Sequence, residues 1–105
     1  MYEIKTTKKF DKDIKSLSNH DINLLKEVIL TLQQGNKLPV KNRDHQLNNS
    51  KHYKDCRECH IKPNLLLVYK IDKGALILEL IRVGSHSKLG LTNSLSINKG
   101  GVLNG

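Results

Sequence analysis

Apolar residues recur along this chain at two different periods, and the change of period divides it into a helical first third and a strand-rich second half. Residues 2–6 alternate and are rich in strand formers, which predicts a first strand. Thr6 or Thr7 then caps a helix running to about residue 17. Phe10, Ile14 and Leu17 fall on one face of it, at i, i+4 and i+7, while Lys8, Lys9, Lys12 and Lys15 face outward. Ser18-Asn19-His20-Asp21 breaks this helix and offers new caps. A second helix is predicted over 21–34, with Ile22, Leu25, Ile29 and Leu32 on a stripe and Leu24 and Val28 beside it, stopped by Gly35.

Beyond a polar connection at 36–50, the pattern shortens to strand length. Residues 53–61 mix polar and apolar positions, and Lys62-Pro63-Asn64 makes a turn because proline fixes its own φ and restricts the residue before it. Residues 65–71 are almost continuously apolar, as in a strand buried on both faces. Asp72-Lys73-Gly74 closes a hairpin, with glycine available for a positive φ, and a further strand over 75–83 leads to Gly84-Ser85-His86. Tandem amphipathic helices followed by strands imply an α+β fold, with the two helices packed on one face of an antiparallel sheet of about four strands. From residue 90 the pattern fades into Asn, Ser and Gly, which reads as a weakly ordered tail over 90–105 behind one domain at 1–89.

Composition narrows the function classes. Eighteen Lys and Arg against ten Asp and Glu give a net charge of +8, so a polyanion is the expected partner. Between residues 37 and 62, seven basic residues stand against three acidic ones. No stretch has the length and apolarity of a membrane span and the first residues lack an apolar signal region, so the expectation is a cytoplasmic protein with no membrane partner. Two cysteines in a reducing compartment argue against a structural disulfide. With no Trp, one Phe and three Tyr, a base-stacking platform is poorly supported.

Three chemistries compete for the polar residues at the strand ends. Cys56-Arg57-Glu58-Cys59-His60 has the form of a haem attachment motif, but that motif needs export and usually a helix, and here it falls on a strand. A zinc site would take Cys56 and Cys59 with two of His45, His52, His60 and His86. Residues three apart on a strand point to opposite faces, so both thiols reach one metal only across a bulge. The third chemistry is acid–base cleavage of RNA. It needs a group to deprotonate a 2′-hydroxyl, one to protonate the leaving 5′-oxygen, and a cation for the charge that grows on the phosphate. Histidine suits the first two and arginine the third. His45, His60, Arg82 and His86 supply that set; taken singly, each has an ordinary structural reading, such as Arg82 pairing with Glu58 or Glu79.

Three ordered motifs together change the weighing. Asp44-His45-Gln46-Leu47, then Arg57 to Tyr69 (Arg-Glu-Cys-His-Ile-Lys-Pro-Asn-Leu-Leu-Leu-Val-Tyr), then Arg82-Val83-Gly84-Ser85-His86-Ser87-Lys88-Leu89 resemble the YafQ branch of the RelE/ParE toxin superfamily over residues 1–89. The resemblance implies a RelE-like fold and a toxin of a type II toxin–antitoxin system: an endoribonuclease that cuts mRNA in the ribosomal A site without metal or cofactor, contacting 16S rRNA. It also implies a cognate antitoxin that covers the basic face, with the toxin alone a monomer and a higher-order complex formed with the antitoxin. By motif position His45, His60 and His86 match the catalytic histidines and Arg82 the phosphate-stabilising arginine, with His86 as acid and His45 or His60 as base. Lys51, Lys54, Arg57, Lys62, Asn64 and Leu65 are the expected substrate-binding residues. Three positions depart from the pattern. Asn64 stands where an aspartate is common, Leu65 where Trp occurs, and Gly90 where the family ends in Phe. The competing functions are a ParE-like gyrase inhibitor, against which the histidine set argues, and a catalytically attenuated RNA- or antitoxin-binding member.

Overall fold

A computed structural model describes residues 1–48 and 50–91, so the expected tail from residue 92 lies outside the described residues. Along the chain these form β1 (Glu3–Thr6), α1 (Lys8–Asp13) continued by a 3₁₀ turn (Ile14–Ser16), α2 (Asn19–Gln33), a 3₁₀ turn (Val40–Asn42), β2 (His45–Gln46), β3 (Arg57–Lys62), β4 (Leu65–Asp72), β5 (Ile77–Gly84) and α3 (His86–Leu89). Thr7 is the cap of α1, its hydroxyl accepting from the Phe10 N–H at 3.0 Å while donating to the Ile81 carbonyl at 2.6 Å, which ties the helix start to β5. Ser18 caps α2 through the Asp21 N–H at 3.1 Å, so the helix begins at Asn19, two residues before the predicted start, and Gly35 (φ 78°) follows its end.

The strands form one five-stranded sheet in the order β1-β5-β4-β3-β2. The four-strand antiparallel expectation is corrected twice. β1 runs parallel to β5, and the loop at 36–50 contributes β2, whose His45 and Gln46 pair antiparallel with Glu58 and Arg57. Residues 53–56 are not strand: Asp55 takes a left-handed φ of 62° and turns the chain just before β3. At the β4–β5 hairpin the positive φ falls on Leu76 (56°) rather than on Gly74, and the Asp72 carboxylate accepts from the Ala75 N–H at 3.0 Å to hold the turn.

β4 is the middle strand, and Leu65 through Tyr69 are all buried. Its alternate residues enter different cores. Leu65, Leu67 and Tyr69 pack with Phe10, Leu25, Val28 and Leu32 from the helices and with Cys59, Ile61, Leu78, Leu80 and Val83. Leu66 and Val68 pack on the other side with Tyr53, Cys56 and Leu89, with Leu47, Ile81 and Leu91 against them. Each large apolar side chain buried this way contributes about 1.5–3 kcal/mol relative to exposure. Gly90 (φ 72°) closes α3 and the Leu91 N–H bonds to the His86 carbonyl at 2.9 Å, so Leu91, from the expected tail, packs against the second core.

Two register shifts aim the polar groups. In β5, Val68 pairs with Arg82 and Tyr69 with Leu80, leaving Ile81 as an extra residue. That shift puts Val83, rather than Arg82, in the row of Leu78 and Leu80. In β3 a second irregularity lies between His60 and Lys62, at the turn into β4.

Candidate active site

β3 separates its residues by side. Cys59 and Ile61 point to the helices, whereas Glu58 and His60 belong to the opposite face, in step with Cys56. Register then builds a row: His60 pairs with Leu66, and Leu66 with Gly84. The chain turns there through the Ser85 cap into α3, which brings His86 back over the row. A Cβ on Gly84 would lie 3.1 Å from Lys88 Cδ and 3.3 Å from Leu89 Cδ2, so the absence of a side chain lets α3 approach this closely. The His60 and His86 rings meet edge to face with centroids 5.7 Å apart.

Glu58, 6% exposed, is the carboxylate at the centre. Its Oε1 lies 3.6 Å from His60 Nε2 and 3.9 Å from His45 Nε2. One potential ligand atom from each of Glu58, His60 and His86 lies within 4.8 Å of the others, so these three residues have the spacing to hold a metal ion. The cysteines do not join them: Cys56 and Cys59 are buried in the two separate cores, and burial pushes the Cys59 thiol up to about 12. The two thiols therefore cannot share one metal with the histidines.

Burial disfavours the charged imidazolium of His60, and Arg43 and His86 add repulsion. Against the pull of Glu58, the result is a pKa below the ordinary histidine value. His45 is held from its other nitrogen. Arg43 adopts a left-handed φ of 49°, its carbonyl meets His45 Nδ1 at 2.7 Å, and Nε2 is therefore the atom turned toward Glu58. The preceding residue, Asp44, is pinned by Arg57 Nη2 at 3.0 Å and by the Tyr69 hydroxyl, while the buried Asn42 donates to the His60 carbonyl at 2.7 Å. Residues 42–45 of the long loop thus support one side of the site.

Arg82 is placed differently from the other three. Its row partner is Val68, and Val68 pairs in turn with Glu58, so two strand spacings separate the arginine from that carboxylate. Neither Glu58 nor Glu79 is its partner. Asp13, 3% exposed, receives Nε at 2.7 Å and Nη2 at 3.0 Å, as well as the Val83 N–H at 3.1 Å. Burial opposes ionisation of Asp13, but the Arg82 and Val83 hydrogen bonds and the charges of Arg82 and Lys88 outweigh it and hold the carboxyl below its usual range. Two of the five guanidinium donors are spent on this clamp, and the side chain retains 17% exposure.

Of the expected substrate contacts, Lys51, Lys54 and Asn64 are exposed, Lys62 pairs with Asp21 at 2.9 Å, Arg57 binds Asp44 and Tyr69, and Leu65 is a core residue. Sequence reasoning missed Glu58 and Asp13 as site residues. Each had a signal: Glu58 shares strand parity with His60, and Asp13 stands three residues after Phe10, on the apolar side of its helix.

Comparison with known proteins agrees with this architecture. Residues 2–91 match the family model described as the bacterial toxin of type II toxin–antitoxin system, YafQ. The mRNA interferase toxin YafQ of Escherichia coli strain B is 34% identical over 91 residues, covering 83% of this chain and 94% of that protein. A metal-bound toxin from Helicobacter pylori superposes with a TM-score of 0.74 at 45% identity, covering 85% of this chain and 99% of that one. The E. coli DinJ–YafQ complex gives a TM-score of 0.72 at 30% identity over 85% and 98% of the respective chains. No helix among the described residues is long and apolar enough to cross a membrane. The chain belongs to the YafQ family of type II toxin–antitoxin toxins.

Proposed function

We propose that this toxin is a ribosome-dependent endoribonuclease that cleaves mRNA in the A site by acid–base catalysis. The observation that carries the reading is the cluster of His60 and His86 around buried Glu58, on the sheet face away from α1 and α2. His60, with its lowered pKa, is neutral near pH 7 and fits the general base. It takes the proton of the 2′-hydroxyl, the 2′-oxygen attacks the adjacent phosphorus, and the bond from phosphorus to the 5′-oxygen breaks. The leaving oxygen takes its proton from His86, and the products are a 2′,3′-cyclic phosphate and a free 5′-hydroxyl. The attacking and leaving oxygens flank one phosphorus, so acid and base must stand close together, as these rings do. Glu58 steadies the imidazolium that forms on His60. Arg82, held by Asp13, is the cation for the charge that grows on the phosphate. His45 is a second base within reach of Glu58.

A cognate antitoxin restrains the toxin, as DinJ accompanies YafQ in the E. coli complex. The test is mRNA cleavage in a purified translation reaction, with and without ribosomes and with a chelator present. His60→Ala and His86→Ala are each expected to lower cleavage about 10²- to 10⁴-fold while ribosome binding is kept. Cuts that persist unchanged in both variants would refute the assignment. Intact translation accompanied by gyrase inhibition would replace it with the protein-binding alternative.

A further inference from the structure

The described cations are not spread evenly over the fold. An open groove is lined by Lys9, Lys12 and Lys15 from α1 and its 3₁₀ continuation, by Lys88 from α3, and by the Arg82–Asp13 pair. Asp13 is fully engaged, accepting from Arg82 and the Val83 N–H with Lys88 at 3.5 Å. None of Lys9, Lys12 and Lys15 has an ion-pair partner among the described residues. Five cations therefore face a single carboxylate. The three lysines recur every third residue, a spacing that keeps them on one side of an α-helix and nearly in line in a 3₁₀ turn. Like charges in a row repel one another, and a polyanion with regularly repeated charges relieves that repulsion. The groove offers ammonium groups but no aromatic face, so it suits phosphates rather than bases.

Two of the groove's lining residues, Lys88 and Arg82, stand on the elements that carry the histidine site. Lys88 follows His86 by two residues in α3, and Arg82 lies across Val68 from Glu58. By contrast, the basic stretch at 37–62 has Arg57 and Lys62 already paired with acids. We infer that the groove between α1 and α3 anchors the phosphodiester backbone of the RNA whose scissile bond lies at His60 and His86. This rests on the endoribonuclease reading and adds the path of the strand to it.

The probe is a single-stranded 2′-O-methyl RNA, which has no free 2′-hydroxyl to attack with, and the measurement is its affinity as KCl is raised. The triple variant K9Q/K12Q/K15Q alters exposed positions with residues of similar helix propensity, so the fold is kept. Three lost phosphate contacts at about 0.7 each are expected to flatten the slope of log affinity against log salt by about 2. K9R/K12R/K15R is expected to keep the wild-type slope. H86A is expected to lose mRNA cleavage on the ribosome yet keep this slope. A triple glutamine variant with the wild-type slope overturns the proposal. So does one that binds this RNA as wild type does but loses a polyglutamate peptide, which would give the groove to an acidic protein segment. If the slope flattens while no RNA is cut under any condition, the groove stands and the catalytic reading fails.

Discussion

Replacing Asp13 by asparagine tests the most heavily bonded polar contact of the fold. The substitution keeps the shape but removes the charge that Arg82 meets at 2.7 and 3.0 Å, and it puts an amide NH₂ group where one acceptor stood, facing either the Val83 N–H or the guanidinium. Breaking a buried pair from one side costs about 3–5 kcal/mol because the other charge is left uncompensated. Arg82 keeps 17% exposure and Lys88 is 44% exposed, so water takes part of the load and the expected loss is about 2–3 kcal/mol. At about 4–8 °C per kcal/mol for a domain of this size, Tm falls by roughly 10–20 °C. The assay is urea and thermal unfolding of Asp13→Asn, Arg82→Gln and the double variant. The double variant is expected to lose less than the sum, with a coupling of about 1–3 kcal/mol. The pH dependence has a fixed sign. Asp13 is depressed in the folded state, so its contribution is present above the ordinary carboxyl value of 3.8 and is lost as pH falls through the lower folded value. Asp13→Asn should remove that part of the acid transition. A change in stability under about 0.5 kcal/mol, with no coupling to Arg82, would refute the clamp.

Two further outcomes follow from the site. The His60 pKa lies below 6.5, so if His60 is the base, the acid limb of kcat/KM for cleavage falls below pH 6.5; Glu58→Gln removes the group that raises that pKa and should move the limb further toward acid, whereas a shift toward base would contradict the arrangement. Gly84→Ala inserts a Cβ 3.1 Å from Lys88 Cδ and 3.3 Å from Leu89 Cδ2, so α3 must shift or Lys88 must give way. The expected cost is about 1–3 kcal/mol, with a fall in cleavage that exceeds the fall in folded fraction because His86 rides on the same helix; unchanged stability and activity would mean that α3 has room to spare.

Much of the fold is local information. Capping at Thr7 and Ser18, the apolar stripes of α1 and α2, and the unbroken run of β4 follow from sequence because each depends on neighbours within one or two turns of the chain. Thr7 is more than a cap, however, since its bond to the Ile81 carbonyl spans most of the chain. Leu76 and Asp55 take positive φ without being glycine, so residue type placed the β4–β5 turn but not the residue that takes its left-handed conformation, and it did not place the bend before β3.

The sequence by itself determined the residue types of the site: three histidines, an arginine and their ordered motifs, with a basic surplus around them. Tertiary structure decided which of them meet. The parallel pairing of β1 with β5, the addition of β2 and the extra residue at Ile81 are long-range choices, and register fixes strand partners that no local period encodes. They set His60 against His86 over buried Glu58, and they hand Arg82 to Asp13 instead of Glu58. A buried charge pairs with whatever opposite charge the fold brings to it, and that neighbour is a property of packing rather than of spacing along the chain.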